Sequence, residues 1–401
     1  MTETAANSRI IGIDLARSIA IFFAMLSHVW VVTAMDQFWS GPSADFLRAL
    51  MALATPTFIL LFGTMLEIIY RPKFLQGEQG AVTARLVSRA IQCWLLYCLS
   101  VVVLYLVPDG YSLKFSIATM MLLGVTPFTD ILKFYAVVLF LAPALLLLRN
   151  KTGLLPLLFA AVVIHAVHPT LRGLPSPIDF QMSMNAERVA TFFFGIGDGK
   201  LGGPSILHGL TLIVGGMTFG RLIAGDRGAR SETTGSIAKR ASFLLAASAL
   251  AVAIGAFSSR EGLLAELGDM SLRMESDPLY FAAGLSGAVC LTSLAVLTTQ
   301  GLPDEGKKKL EKLVFFGRTS LFTFAFGNMI LYAWRDTPDT PGSAALQVVF
   351  MSMVIIGLSY LFDREMRRRG RVSTVVRSIQ AKITSFVKML IALRIPSAEQ
   401  S

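Results

Sequence analysis

Residues 11–28 read IGIDLARSIAIFFAMLSH. The run is apolar enough to enter a membrane, yet it carries Asp14 and Arg17 near its start and His28 at its end. Ionisable side chains within a membrane span are costly, so they mark a functional site by default. The eleven-residue step from Arg17 to His28 turns an α-helix through about 1100°, about 20° beyond three full turns, so both side chains share one face. Along the axis they stand about 16 Å apart at 1.5 Å per residue. Such a face holds a fixed cation at one depth of a cavity and a base at another. The packing alternative makes His28 a satisfied histidine between helices and pairs Arg17 with Asp14 one turn away.

The rest of the chain has the same character. Its 401 residues are 54% hydrophobic and only 15% charged, with a mean hydropathy of +0.63. Repeated apolar runs of about twenty residues define transmembrane helices and exclude a soluble globular domain. Ten spans are readable, at 10–34, 46–69, 86–107, 131–148, 153–168, 204–223, 241–258, 279–299, 313–334 and 344–362. With the N-terminus inside, the loops after the even-numbered spans carry the basic residues, among them Arg71, Lys73, Arg85, Arg89, Arg149, Lys151, Arg221, Arg227, Arg230 and Lys307. DREMRRRGR at 363–371 closes the series, while EGLLAELGDMSLRMESD (261–277) and RDTPDTPG (335–342) on the other side are mixed or acidic. This asymmetry places both termini in the cytoplasm and assigns the net charge of +10 to membrane orientation, with no role for nucleic acid.

Two apolar stretches are too short to cross. KFSIATMMLLGVTPF (114–128) and AERVATFFFGIG (186–197) read as re-entrant or interfacial pieces, tolerated where protein or a water-filled cavity surrounds them. Asp14 and Arg17 interrupt the stretch that a cleavable signal would keep unbroken, so the first helix reads as uncleaved. At residues 371–394, apolar positions recur at helical spacing among Arg and Lys, the pattern of a helix lying on an anionic leaflet or packing on the bundle. The fold expected is therefore an all-α polytopic integral membrane protein. It has about ten transmembrane helices, one or two re-entrant segments and a C-terminal amphipathic helix. A transmembrane bundle occupies 1–363 and a basic cytoplasmic tail 364–401. Cys93, Cys98 and Cys290 fall inside apolar runs without disulfide or metal-ligand spacing. His165 and His168 lie three apart at an outer helix end and have no third ligand nearby in sequence, so no metal site is expected.

A neutral imidazole suits removal of a proton from a hydroxyl that attacks an acyl carbonyl. A buried arginine suits an anionic group, through several donors at once. Together they fit acyl transfer from a phosphate-rich donor to an alcohol.

Arg, ten residues, then His on the first helix resembles the acyltransferase-3 superfamily of membrane acyltransferases. RIIGIDLARSIAIFFAMLSHV (9–29), TFILLFGTMLEIIYR (57–71), RLVSRAIQCWLLYCLS (85–100), FTDILKFYAVVLFLAPALLLL (128–148) and VFFGRTSLFTFAFGNMIL (314–331) resemble, in order, segments of its OpgC-type branch, the osmoregulated periplasmic glucan succinyltransferases. The resemblance implies a ten-span bacterial inner-membrane enzyme with no bound cofactor. It would take a succinyl or acetyl group from cytoplasmic acyl-CoA and pass it to a hydroxyl of a periplasmic or lipid-linked glycan. His28 and Arg17 would be its functional histidine and arginine, with Arg17 toward the donor and His28 toward the acceptor. His28 would act as base, or would itself be acylated in passing. The chain departs from the branch at Ser18, where the family pattern has glycine, and at SILHGLTLIVGG (205–216), which lacks a Trp-Gln pair.

Supporting roles attach to fewer features. Arg85 and Arg89, four apart on one helix face, suit CoA phosphates or plain anchoring at the inner interface. Glu67 suits orienting an arginine or a cationic histidine, or snorkelling to the interface. Asp130 is a candidate supporting carboxylate or a helix cap, and Arg318 a candidate cavity cation opposite the first helix, suited to a donor with a free carboxylate, or a plain anchor at the cytoplasmic interface. Trp30, Trp39, Tyr111, Tyr332 and Trp334 read as an interfacial belt. The rival function class is a carrier or flippase for a polar or lipid-linked solute, using Arg17 and His28 as substrate and proton site.

Overall fold

A computed structural model of the chain describes residues 10–201, 204–225, 234–258, 262–334 and 336–394. Arg227 and Arg230, Glu261 and Arg335 of the loops, and residues 1–9 and 395–401 of the two expected domains lie outside them. The described residues are helical, without strands. Among them, nine helices are long and apolar enough to cross a membrane. They are α1 (Ile11–Val32), α2 (Pro42–Leu75), α3 (Gln79–Leu106), α4 (Asp130–Thr152), α5 (Ile206–Ala224), α6 (Gly235–Ala256), α7 (Pro278–Gln300), α8 (Glu305–Ala333) and α9 (Pro341–Arg368). Large apolar side chains on the outside of the bundle, such as Phe140 at 64% exposed and Phe159 at 71%, suit hydrocarbon.

Helix α1 is central, packed against α2, α7 and α8. Helix α2 crosses α5 so closely that a Cβ on Gly63 would come within 2.0 Å of Ile213 O, and one on Gly216 within 2.0 Å of Leu60 O. Small residues at a crossing let two backbones meet, and the gain is packing and hydrogen bonding, since lipid supplies no hydrophobic drive between helices. Thr64 Oγ1 donates to Gly216 O across the same crossing (3.1 Å). On the other flank α3 pairs with α4, and the C-terminal helix Arg371–Arg394 packs on α3.

The fifth expected span differs from the expectation. Residues 153–168 form only the twelve-residue helix Leu155–Ala166, about 18 Å long at 1.5 Å per residue against about 30 Å of hydrocarbon. Gly153, at φ +87°, breaks the chain before it. Pro169 disfavours helical backbone in the residue before it and opens a separate helix, His168–Arg172. The short helix still joins the two ends of the bundle. At one end, Arg149 at the close of α4 meets Glu67, Glu67 lies beside Gly220 of α5, and Ile10 clusters with Ile223, Ile237 and Val296. At the other end, His168 Nε2 contacts Glu275 O (3.2 Å), and Ser205 N, just before α5, donates to Ser276 Oγ (3.1 Å). The first end carries the basic residues and both described termini, and the second is called the outer end below.

The two short apolar stretches do not cross. Residues 114–128 form the helix Leu113–Met120 and a loop that bends back into the outer end. Residues 186–197 fall largely in the helix Met184–Phe194, closed by Gly195 at φ +77°.

Candidate functional site

His28, one turn before the end of α1, points at α8. Its Nδ1 lies 2.7 Å from Asn328 Oδ1. Asn328 is fully buried and its Nδ2 donates to Phe324 O (2.7 Å), which fixes Oδ1 as the atom turned to the imidazole. An amide oxygen only accepts, so Nδ1 carries the hydrogen and Nε2 keeps its lone pair. Nε2 has no hydrogen-bond partner among the described residues. The ring is stacked on Phe128 at 4.7 Å and met edge-on by Phe324 at 5.6 Å. A histidine held by one partner, clamped by two rings and bare on the other nitrogen is arranged as a base or nucleophile.

It borders a cavity of about 180 Å³ whose wall includes Ser27, Phe58, Thr126, Phe128, Asp130, Ile131, Lys200, Arg273 and Phe324. Phe128 and Thr126 come from the re-entrant loop. That loop is pinned from three directions. Tyr332 OH accepts from Phe128 N and Thr129 N, both at 3.1 Å. Tyr111 OH donates to Val125 O (2.8 Å), and the buried Lys133 ammonium donates to Gly124 O (2.8 Å).

Arg17 borders a second, more apolar cavity of about 340 Å³, with Ile21, Phe62, Tyr135, Leu139 and Ser320. Arg17 Nη1 also lies 3.6 Å from Asp14 Oδ1, so the local pair and the cavity-facing position coexist. Phe58, Ile131 and Phe324 wall both this cavity and the one at His28. A third cavity of about 330 Å³ opens at the basic end, among Lys73, Arg85, Gln92 and, from the C-terminal helix, Gln380, Thr384 and Lys388; it shares Tyr70 and Arg89 with the Arg17 cavity. Three chambers thus lie in series from the basic end to the outer end, the last two separated by an apolar pinch.

Arg85 and Arg89 lie in this path. Arg318 does not: its Nε and Nη2 both donate to Asp363 (3.0 Å each), locking α8 to α9. The expected cavity cation is thus consumed by a carboxylate 45 residues downstream, which local reading does not reveal. Glu67 is also a clamp. It accepts two bonds from Arg149 (2.8 and 3.1 Å) and one from Arg71 (3.2 Å), and touches neither Arg17 nor His28. Asp130 is not a cap of its own helix; it accepts from Thr126 N (2.8 Å) and Thr126 Oγ1 (3.0 Å) and so closes the re-entrant loop. Trp30 and Tyr332 are buried, and Tyr111 and Tyr332 hold that loop in place of belting the membrane.

The residues that sequence reasoning missed are Asn328, Arg273, Lys200 and Arg149. A signal existed for Asn328, a lone amide in the apolar run FAFGNMIL. None existed for Lys200 and Arg273, which sit in polar loops. Ser18, the departure from glycine, accepts from Gly317 N (2.8 Å). A Cβ on Gly317 would come within 2.8 Å of that hydroxyl, so this position has no room for a side chain. His208 joins His165 and His168, with ring centroids 5.5 Å apart in both pairs. Their nitrogens turn to Ser205, Thr211 and Glu275 O, and no group of three His, Cys, Asp or Glu among the described residues is arranged to hold a metal ion.

The fold and these chambers define a polytopic all-α membrane protein with a cavity of mixed polar and apolar lining at His28. The family described as OpgC protein matches residues 9–116, which hold Arg17, His28, Glu67, Arg85 and Arg89. The similarity is to that part of the chain, about a quarter of it. No curated protein matches the chain.

Proposed function

We propose that the protein is a membrane-embedded O-acyltransferase of the bacterial inner membrane, with the basic end and both termini in the cytoplasm. It moves a succinyl or acetyl group from acyl-CoA to hydroxyls of a periplasmic or lipid-linked glycan. The observation that carries this reading is His28 Nε2, left bare by the Asn328 bond, at the outer end of a chamber series that begins among basic residues. The similarity of residues 9–116 to the OpgC protein supports a glucan as acceptor.

In this mechanism the donor's phosphates rest at Lys73, Arg85, Arg89 and Lys388, and its pantetheine arm runs past Arg17 toward the pinch. A glycan hydroxyl enters from the outer end. Nε2 takes its proton as the oxygen attacks the thioester carbonyl, and the C–S bond breaks. The departing thiolate receives the proton from the imidazolium, leaving an ester and free CoA. Transient acylation of Nε2 uses the same geometry and is detected by trapping labelled protein in the absence of acceptor.

The test is mass spectrometry of periplasmic and surface glycans from cells with the wild-type protein, with His28→Ala, and with none. The expected result is a mass increment of one acyl unit per substituted sugar that both defective strains lack. Modification that persists with His28→Ala sinks the assignment. Chambers separated by an apolar pinch also suit a carrier; acyl-CoA consumption by purified protein without an ion gradient decides for the transferase.

A further inference from the structure

Most buried or half-buried cations of the bundle have a carboxylate: Arg149 and Arg71 share Glu67, Arg318 has Asp363, Lys133 has Asp130, and Arg17 has Asp14. Arg188 has no carboxylate among the described residues but donates to Leu123 O and lies over the Phe115 ring, whereas Arg273 has neither kind of contact. Arg273 is half-buried on the short helix Ser271–Met274 and faces the His28 chamber, yet no carboxylate lies within ion-pair distance of it among the described residues. Its Nη1 has only Met270 Sδ at 3.9 Å, and its Nε is buried without any hydrogen-bond partner. Lys200 reaches the same chamber from the turn Gly199–Leu201, and its ammonium also lacks a carboxylate among the described residues. The one carboxylate in the wall, Asp130, is committed to Thr126 and lies 3.7 Å from the Lys133 ammonium. The chamber that His28 borders therefore also holds two cations without a carboxylate among the described residues, Arg273 half-buried and Lys200 exposed.

An unpaired, partly desolvated guanidinium is unfavourable unless something completes it. Its planar fork matches the two oxygens of a carboxylate or phosphate.

We propose that Arg273, seconded by Lys200, is an anion-recognition site that selects a substrate, donor or acceptor, bearing a carboxylate or phosphate near its reacting group. This rests on the transferase reading for its role in specificity, though binding of the anion itself does not. The anion has two chemical sources: the free end of a dicarboxylic acyl group, or an acidic substituent on the acceptor glycan.

The experiment uses full-length protein in nanodiscs, as wild type, Arg273→Ala, Arg273→Lys and Lys200→Ala. Transfer is measured with succinyl-CoA and with acetyl-CoA, each on neutral glucan and on glucan bearing phosphoglycerol. If the anion is on the acyl group, Arg273→Ala lowers the succinyl-to-acetyl ratio of kcat/KM at least tenfold. If it is on the acceptor, the same loss appears in the ratio of charged to neutral glucan. Arg273→Lys restores part of the ratio, and Lys200→Ala gives a smaller loss, which keeps the test open should Arg273→Ala fail to fold.

Separately, monomethyl succinate and glycerol 1-phosphate are titrated without acyl-CoA, reading thermal stabilisation. One of them stabilises the wild type and not Arg273→Ala. Saturable stabilisation by either anion without turnover removes the transferase reading and leaves the anion site standing. Ratios and stabilisation unchanged in every variant overturn the proposal.

Discussion

Replacing Asn328 with alanine tests the geometry on which the site rests. The substitution removes the acceptor 2.7 Å from His28 Nδ1 and leaves a half-buried N–H without a partner. An orphaned buried donor costs about 1–3 kcal/mol. The ring also loses the bond that fixes which nitrogen faces the chamber. If that energy is spent in the transition state, at 1.36 kcal/mol per decade, kcat falls roughly 5- to 160-fold. The KM for acyl-CoA should stay put, because the place proposed for the donor's charged end, among Arg85, Arg89 and Lys388, is outside the His28 chamber. Asn328→Asp keeps an oxygen facing Nδ1 and should recover part of the lost kcat. The assay is thiol release from acyl-CoA by purified protein with added glucan, alongside a thermal melt to confirm folding. A folded Asn328→Ala protein at the wild-type rate, with His28→Ala inactive, would refute the positioning role. So would equal losses in Asn328→Ala and Asn328→Asp.

Arg149→Ala leaves the buried Glu67 with only Arg71, so it should destabilise by up to about 3–5 kcal/mol, the cost of breaking a buried pair from one side; thermal unfolding in detergent measures it, and an unchanged melting temperature contradicts the clamp. At the outer surface, the Arg172 guanidinium 2.7 Å from Glu275 holds that carboxyl below its usual range. A lowered folded-state pKa contributes stability above the ordinary carboxylate range, lost as pH falls through the folded value. The pair is exposed, so the loss should stay below about 1 kcal/mol and should vanish in Arg172→Ala; melting from pH 7 to pH 3 at low salt checks both.

The membrane class, nearly all the spans and the polar face of α1 were legible because hydropathy and helical period are local properties. The shortness of the fifth crossing was not: Leu155–Ala166 looks like a span in composition, and only the break at Gly153 and the new helix at Pro169 set its length. Side-chain partners were legible only within a turn. Arg17 with Asp14 is such a pair, whereas Asp363 for Arg318, Arg149 for Glu67 and Asn328 for His28 lie 45, 82 and 300 residues away. A lone polar residue in an apolar span announces that it has a partner and says nothing about which one. Asp130 shows the same limit at short range, since its first-turn position suggests a cap and its bonds run back to Thr126.

The pinch at Phe58, Ile131 and Phe324 has an electrical consequence. Chambers that admit water conduct, so with both chambers hydrated most of the membrane potential would fall across the apolar side chains between Arg17 and His28. A full elementary charge moved through 100 mV is worth about 2.3 kcal/mol. With the basic end inside, a negatively charged group travelling outward past these three side chains moves downhill, and a neutral group gains nothing. In the proposed enzyme, passage of an anionic acyl group past these three apolar residues would therefore be favoured by an energised membrane.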